Sequence, residues 1–144
     1  MLRHSFAVVA AVLLCACSTM SSFSAPRPGT TMALRGEKIP LPTKAKVKGT
    51  SFANYEFKAS EADGAPFYGI LPLKFKGGHL AADILLFAPA AFFNLRSAFP
   101  YYEIDPAQGV IRYKEDANAA WNEYRPKPEE AARAKEYYEQ LHGR

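Results

Sequence analysis

Both cysteines of this 144-residue chain stand near its start, at positions 15 and 17, and none follows. Residues 18–144 therefore have no disulfide to close their loops, no thiol nucleophile and no cysteine ligand for a metal. Such a chain must hold its fold by burying apolar surface. It is equipped to do so, since 49% of its residues are hydrophobic and 13% aromatic. Residues 29–144 fit the common size of one domain, about 100–150 residues, so a single core is expected.

The residues ahead of Cys17 follow a different logic. Arg3 and His4 give a short basic start, an apolar run extends from Phe6 to Leu14, and small Ala16 precedes the cysteine. This is the layout of a secretory signal peptide. The run is too short to span a bilayer as a helix, which takes about 20 apolar residues. Leu14-Cys15-Ala16-Cys17 resembles a bacterial lipobox, with Cys15 departing from the usual residue at its position. The resemblance implies a bacterial lipoprotein with signal peptide 1–16, cleavage between Ala16 and Cys17, and acyl chains (palmitate among them) on Cys17. Ser18, where Asp would signal inner-membrane retention, implies the periplasmic face of the outer membrane. Two or more acyl chains anchor stably, whereas one binds marginally at about 0.8 kcal/mol per buried CH2. Cys17 would then be the only cysteine of the mature chain.

Residues 17–28 read as the acylated cysteine and a flexible tether, because Ser and Pro dominate them. The rest predicts an α+β domain: a small antiparallel sheet of about five or six strands, a kinked apolar helix and a C-terminal amphipathic helix. Residues 31–34 predict a strand, turned at Arg35-Gly36-Glu37. Residues 44–48 and 54–58 alternate, with Ala45, Val47, Tyr55 and Phe57 inward. Asp63-Gly64 marks a turn, and 67–75 predicts a strand interrupted by Pro72. Residues 80–95 are the most apolar part of the domain and favour a helix that Pro89 kinks or divides. Residues 101–105 and 110–114 predict a hairpin around Pro106 and Gly109, with Tyr102, Ile104, Ile111 and Tyr113 inward. Trp121 and Tyr124 suggest a short helix. A last helix starts at Pro128, carries Glu129 and Glu130 at its positive end, stops before Gly143, and lines Ala131, Ala134, Tyr138 and Leu141 on one stripe. The stretch 29–42, with Val47 and Tyr55-Glu-Phe57, resembles a PEGA-type β module of bacterial lipoproteins. Leu41-Pro42 stands where that family has Gly-x-Thr-Pro, and the resemblance implies β topology only.

Charge is uneven. Between Arg27 and Arg96 there are ten Lys/Arg and five Asp/Glu, and from Ser97 onward seven and nine. Lys44, Lys46 and Lys48 alternate, as on the solvated face of a strand or a surface meeting anionic headgroups or an acidic partner. His79 and Asp83 sit four apart, the spacing of one helix face, but zinc needs three or four convergent ligands and His142 is the only other mature histidine. Asp83 in an apolar run needs a partner, with Arg96 and His79 available. Phe87, Phe92, Phe93, Phe99, Tyr101 and Tyr102 are readable as core, as a partner or ligand patch, or as a membrane-dipping segment.

Neither a nucleophile elbow, a phosphate loop, a dinucleotide-binding glycine pattern nor a His-Glu-x-x-His motif occurs. No catalytic residue, cofactor or metal ligand is therefore assigned. The expectation is a non-catalytic lipid-anchored envelope lipoprotein, a binding or accessory module with the membrane and an envelope protein as partners and no nucleic acid. The alternatives are a periplasmic hydrolase of an envelope polymer and a structural subunit of an envelope or secretion complex. Cys17→Ala is expected to abolish acylation. Palmitate labelling of the variant checks this, and a variant still labelled and membrane-bound overturns the assignment.

Overall fold

The hairpin around residues 106–109 forms as its sequence dictates. Strand β9 (Tyr101–Asp105) pairs antiparallel with β10 (Val110–Lys114), Ile104 facing Ile111 and Tyr102 facing Tyr113. Asp105 Oδ1 accepts the Gln108 amide at 3.1 Å, and Gly109 takes φ 62°, which an L side chain resists. The computed structural model describes residues 18–50, 53–75 and 96–143. The expected helix over 80–95, with His79, Asp83, Phe87, Phe92 and Phe93, lies outside the described residues.

Around this hairpin the described residues build three sheets. In chain order the remaining strands are β1 (Ser18–Ser24), β2 (Thr31–Leu34), β3 (Glu37–Pro40), β4 (Thr43–Lys48), β5 (Glu56–Ser60), β6 (Phe67–Ile70), β7 (Leu73–Phe75), β8 (Arg96–Ala98) and β11 (Asn122–Tyr124). The first sheet runs β11-β10-β9-β1-β4, the second β3-β2-β5-β6 and the third β7-β8. Among the described residues one helix, α1 (Pro128–His142), packs against β5 and β6. The class is α+β and mostly β.

Several expectations are corrected. Instead of one antiparallel sheet of five or six strands, the described residues hold eleven strands in three sheets, and β1 pairs β9 in parallel, Phe23 opposite Tyr102. The segment read as a tether is β1, an interior strand of the largest sheet. Its serines are there because they fit: Ser21 is fully buried and donates its hydroxyl to Phe99 O at 2.7 Å. Only 25–30 remain outside strands at that point of the chain. Residues 67–75 split at Leu71-Pro72 into two strands in different sheets, since Pro72 has no amide to continue a ladder. Residues 122–124 are a strand, not a helix.

The two larger sheets bury one core between them. Phe23, Val47, Tyr102, Ile104 and Ile111 come from the first, and Met32, Leu34, Ile39, Phe57 and Ala59 from the second. Tyr102 is the hub. Its ring stacks on Phe23 at 5.2 Å and meets Phe99 edge-on at 6.2 Å. The hydroxyl donates to Pro72 O at 2.6 Å and accepts the Phe99 amide at 2.8 Å, so a buried polar group stays paired. Burial holds its phenol well above the usual range.

Phe23→Ala is expected to cost about 3–5 kcal/mol, the range for a buried aromatic truncated to alanine. Denaturant unfolding measures it. A tether at this position predicts no change.

Candidate functional site

The β2–β3 connection is two residues long, Arg35-Gly36, with φ 51° and 85°. Two positive φ values are the signature of the tight hairpin turn whose twist suits the flanking strands. The turn sets the register Ala33↔Lys38, while β2 and β5 pair with Ala33↔Lys58. Three neighbouring strands therefore present Lys38, Ala33 and Lys58 in a row on one face, because directly opposed residues share a face. The next row is Pro40, Thr31 and Ser60. Small Ala33 and Thr31 make a floor between larger side chains. This is the outer face of the second sheet, turned away from the core residues Met32 and Leu34.

Helix α1 covers only part of that face. Pro128 opens it, and Glu130 Oε2 accepts the Lys127 amide at 2.8 Å, satisfying one of the free helix-start groups. The same carboxylate receives the Tyr124 hydroxyl, tying α1 to β11. Ala134 and Tyr138 of the expected stripe are buried, Ala131 is half-buried, and Leu141 stays exposed. Tyr138 fixes the distal end. Its hydroxyl donates to Ala33 O at 2.7 Å, lies 3.2 Å from Glu56 O and accepts the Gly36 amide at 3.3 Å. Tyr137 donates to Arg35 O at 3.2 Å. Two adjacent tyrosines thus fasten the helix to the β2–β3 turn.

Between the helix end and the β2–β3 hairpin lies an open groove of about 790 Å³. Its floor is Ala33 and Thr31, and its helix wall is Tyr138 and Leu141. The groove is closed at the turn by Gly36, where an added Cβ would meet Leu141 Cδ1 at 2.8 Å. Arg35, Lys38, Lys58 and His142 also line it, and among the described residues no carboxylate does. Lys58 Nζ rests 5.9 Å from the Tyr68 ring centre and Arg35 Cζ 5.4 Å from that of Tyr55, so aromatic faces support both cations. Chemically this is an apolar trough with a cationic rim, suited to carboxylates flanked by apolar side chains.

The residues singled out in the sequence fall elsewhere. Ala16 and Cys17 lie outside the described residues, as do His79 and Asp83. Arg96 spends its guanidinium on Ala53 O at 2.9 Å, and its backbone bridges Thr50. His142 is in the groove, with Nδ1 2.6 Å from Tyr138 O. Of the aromatic group, Tyr102 is core, Phe99 is half-buried against it and Tyr101 faces outward on the first sheet. Lys44, Lys46 and Lys48 are all exposed on β4, the outer edge of that sheet. Sequence reading missed Lys38, Lys58 and the Tyr138 hydroxyl. The turn at Arg35-Gly36 was a signal for the register of Lys38, whereas Lys58 is placed by the pairing of β2 with β5.

No family model, curated protein or solved structure matches this chain. Function must be read from the molecule's own surfaces.

The Tyr138 phenol gives a pH test of the groove wall. Burial pushes it up to about 12 from its ordinary 10.0. The folded state thus favours the neutral form, so its contribution is complete below pH 10 and lost as pH rises toward 12. Tyr138→Phe is expected to cost about 1–3 kcal/mol at neutral pH, because the Gly36 amide and Ala33 carbonyl lose their partner. It should also flatten the decline in stability between pH 10 and 12. Urea unfolding across that window checks both.

Proposed function

We propose that the chain is a lipid-anchored lipoprotein on the periplasmic face of the outer membrane, attached through Cys17. It acts as a non-catalytic binding or accessory module. The groove receives an extended, carboxylate-bearing and partly apolar segment of an envelope protein. The observation that carries this reading is the row Lys38–Ala33–Lys58 with no carboxylate among the described residues that line the groove. Two lysines flank a residue too small to keep a partner backbone away, and Leu141 supplies an exposed apolar contact at 44% exposure. Anchoring supports such a role, since tethering converts a weak encounter into an effectively intramolecular one. Two-carboxylate hydrolysis, the competing chemistry, requires paired acids across a cleft. This groove offers cations in that place.

A photo-crosslinking residue at Thr31 in native envelopes is expected to give a defined adduct. The double variant K38E/K58E should lower its yield about tenfold or more, because like charges facing across an interface cost several kcal/mol. An adduct of undiminished yield in the charge-reversed variant, or none in either, overturns the groove as the binding site.

A further inference from the structure

The outer face of the first sheet is divided by charge along the strand direction. One row crosses it as Ser24, Glu103, Arg112 and Glu123. There the charges neutralise each other: Arg112 lies 2.7 Å from Glu103, 3.5 Å from Glu123 and 3.8 Å from Asp105. The neighbouring row, one step toward the start of β1, reads Lys44, Ser22, Tyr101 and Lys114, with Trp121 beside Lys114. Beyond it come Met20 opposite Lys46, then Ser18 opposite Lys48. Among the described residues, none of Lys44, Lys46 and Lys48 has a carboxylate within ion-pair distance.

The cationic half also carries exposed apolar groups. Met20 is 58% and Trp121 41% exposed. Lys114 Nζ sits 4.6 Å from the Trp121 ring centre and 5.5 Å from that of Tyr101. Lysines beside Trp, Tyr and a flexible apolar side chain are the composition of a membrane–water interface. An acidic protein would satisfy the lysines, but it would leave Met20 and Trp121 without a reason to cluster at the same end.

We infer that the Ser18 end of this face rests on an anionic phospholipid surface, with Lys44, Lys46 and Lys48 on headgroup phosphates and Met20 and Trp121 at the boundary. The direction agrees with the proposed anchor on which this orientation partly rests, because Cys17 is bonded to the first residue of β1. With 18–24 in a strand rather than a tether, an acyl group there holds this end of the sheet against the bilayer. The charge division stands without the anchor.

Trp121 is the only tryptophan and reports the contact directly. The purified full chain, processed as the cell delivers it, is mixed with phosphatidylcholine vesicles with or without phosphatidylglycerol, each carrying brominated lipid. Trp121 emission is expected to shift blue and be quenched only where phosphatidylglycerol is present. The effect should vanish in 1 M salt, where the Debye length is about 3 Å. At about fivefold per lysine, K44Q/K46Q/K48Q should lower the face-down ratio about a hundredfold, while the triple Lys→Arg variant keeps it. Equal quenching in both vesicles, or quenching that survives in the glutamine variant, overturns the proposal. So does an emission shift produced by polyglutamate and not by phosphatidylglycerol, which assigns the face to an acidic protein instead. Flotation separates the anchor from the face. A chain that floats on both vesicles with unchanged Trp121 emission keeps the anchor and loses the face. One that floats only with phosphatidylglycerol keeps the face and loses the anchor.

Discussion

The insertion of β1 between β4 and β9 is the constraint on which the rest depends. An antiparallel neighbour pairs Ser18 to Phe23 on one edge, and a parallel neighbour pairs Ser22 to Ser24 on the other. Phe23 then stacks on Tyr102, and the Tyr102 hydroxyl ties β9 to the Pro72 carbonyl, which lies between the second and third sheets. Remove β1 and the five-stranded sheet falls into a three-stranded piece and a lone β4. The core would lose Phe23 at the same time. With no cysteine after position 17, nothing covalent is in place to hold those pieces together.

The sheets divide their labour by face. Inner faces are apolar and supply the core, as a sandwich of two sheets requires. Outer faces carry the charge, and each is left partly uncovered in its own way. On the second sheet α1 shields β5 and β6, leaving the β2–β3 hairpin open beside the helix end. On the first, the mutually neutralised cluster around Arg112 occupies one end of the strands, and Lys44, Lys46 and Lys48 lie toward the other. Both uncovered regions are cationic, and they lie on opposite outer sides of the sandwich. A single molecule could therefore hold a surface on one side and a segment on the other.

Local order was legible in the sequence, and long-range order was not. The β9–β10 hairpin and α1 were readable because their signals are close together: Pro106 and Gly109 fix a turn, while Pro128, Glu129 and Gly143 mark two helix ends. The Arg35-Gly36 turn was readable for the same reason. β1 was not, because Ser-rich composition argues for a tether whereas its structure comes from partners at 43–48 and 101–103. The split at Pro72 was visible as an interruption, but composition does not say that the halves join different sheets. Lys38 and Lys58 are twenty positions apart, and only the register through Ala33 makes them one site. Lys44, Lys46 and Lys48 were recognised as a face, but their contrast with the Arg112 cluster required the pairing of β1 with β9.

That pairing also orders events in time. β1 is the first strand of the described chain, and its parallel partner begins at Tyr101, about eighty residues later. Contacts so distant in sequence are slow to form, since loop-closure entropy is lost before the contact stabilises. A chain delivered amino-terminus first therefore presents β1 long before β9 exists to receive it. Meanwhile β4 is the only neighbour β1 can have, and its lysines oppose stacking of further chains on that edge. The largest sheet is completed only when β9 arrives, so most of the chain is made before that sheet can close.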